Sequence, residues 1–325
     1  MKLTHCLSAP KVFCRLISGA DTNTYYPEKL RKPKRRILLE NLQWLLKKRE
    51  VNYYYYLQGF DVVGGADQDD FFALPEFVRL RDRANAGIYA DGRRANYTCL
   101  LQDKFLFSQY LACLGLKTPK TLALCEEDTV LWLDGDRQEP LTALTEHEGL
   151  RGFLKPVVGW QGEHVYRLDI RDTCLLLNYE QTEIHRLAEL IRGKYMIQAC
   201  LSQHDALAAV YPKSVNTLRI VTARTGDAVR LISSVFRCGA RGQLRDNWSG
   251  GGIAVGMDME TGRLKQHGYQ NPKYGRKLIR HPDTGFVFEG FEIPFYAEAV
   301  EAVRKLHFFF YGLHSVGWDL AVTPD

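Results

Sequence analysis

A lysine followed by a glycine-containing loop is the feature of this sequence that most directly suggests chemistry. Lys155 ends an apolar stretch, and Gly159, Gln161 and Gly162 follow within a few residues. Glycine lets backbone N–H groups approach an anion closely, and the lysine adds a charge that can reach the same oxygens. The pattern predicts a phosphate-binding loop, with an ordinary turn as the alternative. Its spacing matches neither the P-loop nor the dinucleotide-binding pattern.

Two further cations are candidates for contact with an anion, with a solvated surface position as the alternative for the lysine. Lys104 lies in a predicted helix, and Arg219 lies in the middle of a predicted strand. A guanidinium in a strand must find an anionic partner or reach solvent at the sheet edge. We interpret Arg219 as a catalytic residue that points into a cleft and stabilises a transferred phosphoryl group, the edge position being the alternative.

Polar and glycine residues in the last third of the chain suggest substrate and metal contacts. Asn247 precedes Gly250, Gly251 and Gly252, whose amides could hold a carboxylate or an acyl phosphate, or could form only a mobile turn. We interpret Asn247 as catalytic and the three glycines as substrate-binding. Asn216 is interpreted either as substrate-binding or as a turn residue. Asp319, on a predicted strand, is the best candidate ligand for Mg²⁺.

Composition narrows the class of protein. The chain has 325 residues, 46% of them hydrophobic and 25% charged, which predicts a packed globular protein with room for two domains. A formal net charge of +5 suits small anions such as nucleotides and does not favour nucleic acid as a partner. The eight cysteines form no Cys-x-x-Cys pair, which indicates reduced thiols and a cytoplasmic location. No stretch approaches the length of a membrane span.

Apolar periodicity predicts mixed α and β elements after about residue 98. The predicted helices are 102–114, 141–150, 182–191 and 297–311. The predicted strands are 121–125, 129–133, 152–158, 164–170, 195–201, 217–223, 229–238, 285–288 and 317–322.

A basic segment at 28–50 sets the N-terminal region apart. It carries nine Lys or Arg residues and three Glu, and its middle has the apolar spacing of an amphipathic helix. We expect this helix to pack on the domain through its Leu and Trp face. Contact with an anionic membrane surface or an anionic polymer such as a glycan is the alternative.

The order of these motifs resembles the ATP-grasp superfamily, and in detail its sugar-transfer associated branch, whose members are often encoded with surface-polysaccharide genes. The pieces that carry the resemblance are the Lys104 helix, the Lys155 loop, and the segments 195–201, 214–220, 247–253 and 317–322. The resemblance implies an α+β fold in which two lobes, 98–203 and 204–325, clamp ATP. A mixed N-terminal region, 1–97, precedes them.

The resemblance also assigns individual residues to ATP. The two lysines would contact phosphates, the hinge strand would meet the adenine edge, and Asp205 would accept a ribose hydroxyl, with His204 as its rival. The implied ATP-binding residues are Lys104, Lys155, Gly159, Gln161, Gly162, Gln198, Ala199, Cys200, Leu201 and Asp205.

The implied metal site is only partly present in the sequence. The family's other Mg²⁺ ligands are a Glu and an Asn about a dozen residues after the position of Asp319, and the sequence ends at Asp325. We therefore expect the C-terminal lobe in this sequence to lack its last metal-binding strand, either because the natural chain continues past Asp325 or because the protein is a metal-poor variant. Glu289 and Glu292 are weak replacements.

The resemblance implies an enzyme that uses ATP and Mg²⁺ to join a carboxylate to an amine through an acyl phosphate. A sugar acid or an amino-acid-like building block of a surface polysaccharide is the expected substrate. A kinase with the same ATP clamp and a non-catalytic nucleotide-binding module are the alternatives.

Overall fold

The computed structural model describes residues 24–88, 91–135, 137–159, 163–271 and 275–324, together with Cys14. The chain forms two compact units. Unit 1 comprises Met1–Ala86 and Thr217–Leu320, and unit 2 comprises Gly87–Asn216 and Ala321–Asp325. Unit 1 is therefore built from two separate segments of the chain.

Helices and strands alternate along the described residues. The helices are α1 (Lys34–Lys48), α2 (Leu74–Ala84), α3 (Cys99–Gln102), α4 (Lys104–Cys113), α5 (Ile184–Leu190), α6 (Asp205–Val210) and α7 (Tyr296–Phe309). The strands are β1 (Ala86–Ile88), β2 (Arg94–Asn96), β3 (Thr121–Glu126), β4 (Thr129–Trp132), β5 (Arg137–Pro140), β6 (Arg151–Pro156), β7 (Tyr166–Arg171), β8 (Cys174–Leu177), β9 (Glu180–Gln181), β10 (Lys194–Ala199), β11 (Thr217–Thr225), β12 (Ala228–Cys238), β13 (Ile253–Met257), β14 (Leu264–Gln270), β15 (Lys277–Leu278) and β16 (Ser315–Ala321).

Unit 2 contains an eight-stranded sheet in the order β5-β4-β3-β10-β6-β7-β8-β9. Neighbouring strands pair antiparallel, and β10 lies between β3 and β6. Alternate residues of the strands face a hydrophobic core under α5, and Leu154, Leu168 and Ile197 are fully buried there. Because side chains alternate across a strand, the residues next to them face the other side of the sheet. Lys155 and Gln198 are on that side.

Unit 1 contains a six-stranded sheet in the order β15-β14-β13-β12-β11-β16. Helix α7 packs on β11 and β12. The buried residues of α7 recur every three or four positions, at Tyr296, Val300, Val303 and Leu306. This spacing places them on one face of the helix, which explains why the segment folds as a helix against the sheet.

The N-terminal segment of unit 1 is tied to the later segment by hydrogen bonds. The Tyr25 hydroxyl donates to the backbone oxygen of Gln270 over 2.7 Å, and the backbone N–H of His314 donates to Asn85 Oδ1 over 2.7 Å. Tyr25 also packs edge-on against Tyr269, with ring centroids 5.0 Å apart. These contacts hold together residues that are far apart in the sequence.

Several predictions from periodicity differ from the structure. The helix predicted over 141–150 is a short 3₁₀ helix, Leu141–Glu146. The strand predicted over 285–288 is reduced to one bridge between Arg280 and Val287, because Gly285, at φ +73°, forms a turn back to His281. The expected Leu and Trp face of α1 is only partly confirmed: Trp44 is buried and Leu45 is half-buried against the core, whereas the other leucines of the helix, Leu38, Leu39, Leu42 and Leu46, are exposed.

The compact units also end at other residues than the predicted lobes. The unit boundary follows Asn216, whereas the resemblance to ATP-grasp proteins implies a lobe boundary after residue 203. Gln203 explains the difference, because its side chain donates to the backbone oxygens of Tyr211 and Ser214 and accepts from the backbone N–H of Asn216. These bonds keep α6 and the following turn in unit 2.

No helix in the described part of the chain combines the length and the apolar character that crossing a membrane requires.

The core of unit 2 yields a stability prediction. Leu168→Ala removes a fully buried side chain and should lower the free energy of unfolding by about 2–5 kcal/mol. Leu131→Ala, at a position on β4 that is 39% exposed, should cost less than about 1 kcal/mol. Urea unfolding followed by circular dichroism measures both. Equal destabilisation by the two substitutions would show that the core is not where the structure places it.

Candidate functional site

Lys155 lies on β6 on the face of the sheet opposite to the hydrophobic core. It is paired across the strands with Met196, which brings Gln198, two residues further along β10, to its diagonal. The Lys155 Nζ donates a hydrogen bond to Gln198 Oε1, and Gln198 Nε2 donates to the backbone oxygen of Pro119 over 3.0 Å. Gln198 is buried, so its amide fixes the direction of the lysine ammonium.

Lys104 reaches the backbone of the loop that follows Lys155. Its Nζ donates to the carbonyl oxygens of Pro156 and Gly159, each over 3.1 Å. The loop is also joined to the first residues of α4 through the backbone N–H of Lys104, which donates to Val157 over 2.9 Å. Asp103 caps the helix by accepting from the backbone N–H of Leu106. The predicted loop residues Gln161 and Gly162 lie outside the described residues.

The two lysines form a pair of cations with neutral hydrogen-bond partners. Burial, together with the nearby charge of Lys104, lowers the pKa of Lys155 to about 8. Burial also lowers the pKa of Lys104, against a smaller opposing effect of Asp103. Within the described residues, neither ammonium lies within ion-pair distance of a carboxylate. This arrangement leaves an excess of positive charge on one face of the unit 2 sheet.

The predicted hinge residues follow Gln198 at the end of β10. The backbone N–H of Ala199 donates to Lys120 over 2.8 Å, so this donor already serves the sheet. Cys200 and Leu201 come directly after the strand and are half-buried. Burial raises the pKa of the Cys200 thiol, which therefore stays protonated at neutral pH. Asp205 is exposed at the first position of α6.

His204, the rival of Asp205 in the sequence, has a structural partner. Its Nδ1 accepts a hydrogen bond from the backbone N–H of Ala206 over 3.1 Å and caps α6. Its own backbone N–H donates to Val322 over 2.8 Å. The histidine ring thus serves the helix start, which leaves the exposed carboxylate of Asp205 as the group free to turn outward.

A second charge cluster lies on three neighbouring strands of unit 1. Arg219 on β11 and Arg237 on β12 both contact Asp319 Oδ1 on β16, at 2.9 Å from Nε and 3.0 Å from Nη2 respectively. Arg219 also donates to the backbone oxygen of Gly317 over 3.2 Å. The Asp319 side chain is 45% exposed, so the cluster opens to solvent at this carboxylate.

Arg237 and Asp246 complete this cluster, and neither was singled out from the sequence. Thr217, on β11 opposite Arg237, accepts hydrogen bonds from the Arg237 guanidinium and donates its hydroxyl proton to Asp246. Burial raises the pKa of Asp246, while the charge of Arg237 and the Thr217 hydroxyl oppose the rise. Arg237 could have been found by the argument applied to Arg219, because it is also an arginine inside a predicted strand.

The loop after Asp246 is a tight turn. The backbone N–H groups of Gly250 and Gly252 both donate to the Asn247 oxygen over 3.0 Å, and that of Gly251 donates to Trp248 over 3.2 Å. Gly251 has φ +102°, and a Cβ on Gly252 would lie 2.3 Å from the Asp246 oxygen, so both positions require glycine. In this conformation the three amides serve the turn, and they are not the free anion-binding donors that the sequence suggests.

Asn216 is buried and fully engaged inside unit 2. Its Nδ2 donates to the backbone oxygens of Leu207 and Tyr211, each over 2.8 Å, and its Oδ1 accepts from the Ser214 hydroxyl. Of the two sequence interpretations, substrate contact or turn formation, the geometry matches the turn. Asn247, in contrast, is half-buried and makes no side-chain hydrogen bond within the described residues.

The described residues contain no group of three or more His, Cys, Asp or Glu side chains that could hold a metal ion. Asp319 is a single carboxylate with one oxygen shared by two guanidinium groups. Mg²⁺ normally takes one or two carboxylates together with substrate phosphates and water. These side chains alone do not form such a site, and we derive no step through a metal ion.

Comparison with known proteins identifies a family whose profile matches this chain. A profile described as sugar-transfer associated ATP-grasp matches residues 89–325. No curated protein matches the chain in sequence. Among solved structures, D-alanyl-alanine synthetase A from Vibrio cholerae O1 biovar eltor str. N16961 is similar, with 9% identity and a TM-score of 0.37. The alignment covers 70% of this chain and 52% of that one, so the chain spans about half the length of that protein.

The structural similarity is too low to indicate an activity. The family assignment therefore depends on the profile match to residues 89–325. The matched span contains both lysines, the hinge strand and the whole arginine–aspartate cluster. It also contains both large antiparallel sheets, and the predicted α+β ATP-grasp fold is confirmed. The chain belongs to the sugar-transfer associated ATP-grasp family.

Proposed function

We propose that this protein is an ATP-dependent ligase that activates a substrate carboxylate as an acyl phosphate and joins it to an amine. The observation that carries the proposal is the pair of half-buried ammonium groups of Lys104 and Lys155. Within the described residues both are hydrogen-bonded only to neutral oxygens, and burial, together with the charge of Lys104, lowers the pKa of Lys155. A polyphosphate would supply the missing negative charge.

In this proposal the phosphates of ATP bind at the two lysines. Gln198 orients Lys155, and the carbonyl oxygen of Gly159 helps to hold Lys104 beside it. The adenine lies against the end of β10 at Ala199, Cys200 and Leu201. Because the Ala199 N–H is already bonded within the sheet, the backbone groups of the two following residues are the ones proposed to read the base. The exposed Asp205 accepts the ribose hydroxyl.

The reaction proposed for this site has two steps. A carboxylate oxygen of the substrate attacks the γ-phosphorus, and the bond from that phosphorus to the bridging oxygen breaks to release ADP. The amine nitrogen then attacks the acyl carbon, phosphate leaves with the bonding electron pair, and the amine loses its proton to solvent. The barrier in both steps falls when cations stabilise charge that develops on the phosphoryl oxygens.

Arg219 is the residue proposed to stabilise the transferred phosphoryl group. Its guanidinium is already directed by Asp319 and by the Gly317 oxygen, so little reorganisation accompanies its action. Arg237 is proposed to position Asp319, because Thr217 and Asp246 hold its Nε while its Nη2 contacts Asp319. Asn247 is proposed to contact the substrate, and Asp319 to hold Mg²⁺ together with the ATP phosphates.

The substrate class rests on family membership alone. A sugar acid or an amino-acid-like building block of a surface polysaccharide is proposed as the carboxylate, with an amine of the same origin as the acceptor.

Replacing Lys155 tests the phosphate site. Lys155→Ala removes one charged hydrogen-bond donor and should raise the dissociation constant for ADP by about 10- to 100-fold, as measured by titration calorimetry. Lys194→Ala is the matched control, since Lys194 lies on β10 of the same sheet with a 68% exposed side chain. An unchanged affinity of Lys155→Ala, with a folded protein by circular dichroism, would remove Lys155 from the site.

The lowered pKa of Lys155 predicts a pH dependence of nucleotide affinity. Below pH 8 the free protein carries the charged lysine that phosphates need, and above pH 8 the lysine is neutral. Affinity should therefore fall as the pH rises from 7 to 9. Near pH 8 binding should take up about half a proton, which calorimetry in buffers of different ionisation enthalpy detects. In Lys155→Arg the charge persists and this dependence should disappear. The same pH profile in both proteins would contradict the prediction.

Arg219 and the acyl phosphate are tested together. With an accepted carboxylate, ATP and hydroxylamine, the protein should form a hydroxamate, whereas a kinase acting on a hydroxyl group would form none. Arg219→Ala should lower the rate of hydroxamate formation by about a hundredfold and leave the affinity for ADP nearly unchanged. Arg304→Ala, at an exposed position on α7, serves as the control. Equal losses of rate and of affinity in Arg219→Ala would place Arg219 in nucleotide binding instead.

A further inference from the structure

Helix α1 carries a row of leucines on its outer surface. Leu38, Leu42 and Leu46 follow one another at intervals of four residues, and Leu39 lies beside them, so all four share one face of the helix. Leu46 is 80% exposed and Leu39 is 55% exposed. We call these four residues the leucine face.

Packing of α1 on the rest of unit 1 does not explain why the leucine face is exposed. The opposite face is buried and contains the polar Asn41 together with Ile37 and Trp44. Asn41 is held there by a hydrogen bond from its Nδ2 to the Ile37 oxygen over 2.9 Å. Of the five leucines of α1, only Leu45 packs against the core, whereas a helix that packed only for stability would turn all of them inward and its amide outward. The side chains of α1 are therefore arranged for a second apolar contact.

Cations lie at both ends of the leucine face. Lys34 and Arg35 precede it by one turn, and Arg49 follows it as the C-cap. On a helical projection, Arg35 falls on the same side as the leucines, and Arg49 ends the helix in a left-handed conformation. The ion pairs around α1 use Lys32, Arg36, Lys47 and Lys48, and within the described residues Lys34, Arg35 and Arg49 join none of them. Their charge is available to an outside partner.

Helix α2, beside the end of α1, also combines exposed apolar side chains with cations. Leu74, Phe77 and Leu80 are exposed along α2, which also carries Arg79, Arg81 and Arg83. Lys48 of α1 contacts Glu76 of α2 over 2.8 Å. Two neighbouring helices thus expose apolar side chains next to arginines, which concentrates apolar surface in a region where an aqueous monomer would avoid it.

We propose that the leucine face of α1 docks on an anionic phospholipid membrane. The leucines enter the boundary between headgroups and acyl chains, while Lys34, Arg35 and Arg49 remain at the lipid phosphates. The helix lies in the plane of the interface and does not span it, in agreement with its 15 residues.

The charges around the leucine face favour a membrane over a second copy of α1 or residues 1–23 as its partner. A second copy of α1 would place arginines against arginines in either orientation, since cations flank the leucines at both ends. Residues 1–23 carry Lys2, Lys11 and Arg15 against Asp21 alone, so they too would bring positive charge to a positive helix. An anionic lipid surface complements both the leucines and the cations.

Vesicle co-sedimentation of the full chain tests the proposal. The wild-type protein should sediment with vesicles of phosphatidylcholine and phosphatidylglycerol, and much less with vesicles of phosphatidylcholine alone. L42S/L46S should weaken binding to the mixed vesicles at least tenfold, because two apolar anchors are lost. R35E/R49E should weaken it by fivefold or more for each cation removed, and added salt should reduce this difference.

Matched substitutions elsewhere control for general effects. L131S changes a partly exposed leucine on β4, and R192E reverses an exposed charge before β10; both should bind vesicles as the wild type does. Circular dichroism establishes that each variant is folded, which is expected because the altered side chains are exposed.

Three results would overturn the proposal. One is failure of the wild-type chain to bind either kind of vesicle, whichever other partner then covers the leucine face. Another is L42S/L46S binding as tightly as the wild type. The third is a wild-type dimer in light scattering that L42S/L46S converts to monomer, since the face would then belong to a second copy of the chain.

Discussion

Two like charges brought together away from water repel each other unless a counter-ion joins them, and the candidate nucleotide site depends on this constraint. Burial, together with the nearby charge of Lys104, lowers the pKa of Lys155 from an ordinary 10.5 to about 8, which corresponds to roughly 3 kcal/mol against its charged form. The geometry of the sheet holds both lysines in place despite this unfavourable free energy. Antiparallel pairing of β6 and β10 directs Lys155 onto Gln198, and the carbonyl oxygens of the following loop hold Lys104. The fold thus maintains a positive potential that a polyphosphate can relieve.

The cluster in unit 1 follows the opposite principle. There the two guanidinium groups meet two carboxylates, so the charges balance before any ligand binds. A balanced cluster attracts an anion less strongly but keeps its donors in fixed directions. This difference suits the two tasks proposed for the clusters, attraction of phosphates by the lysines of unit 2 and alignment by the arginines of unit 1. A shared partner, Asp319 Oδ1, couples the two arginines.

The parts of the fold and site that the sequence predicts well are those with a local signal. The alternation around Lys155 and the strand containing Arg219 both appear where periodicity places them, because burial on one face of a sheet leaves a period of two. Asp246 was missed because its role depends on contacts with Arg237 and Thr217 across β11 and β12, which no local pattern contains, whereas Arg237 was open to the same argument as Arg219. The glycine loop left two interpretations open for a related reason: glycines that relieve crowding near Asp246 look the same in sequence as glycines that open space for an anion.

The discontinuous make-up of unit 1 has a consequence for the order in which the chain folds. The segment up to Ala86 is synthesised first, but its partners at Gln270 and His314 appear only after the whole of Gly87–Asn216 has been made. At about 5–20 residues per second, this delay is on the order of ten seconds. During that time the ribosome carries an unfinished basic segment with exposed leucines, while unit 2 already has most of its strands. The early segment is therefore the part of the nascent chain that most needs a chaperone or another temporary cover.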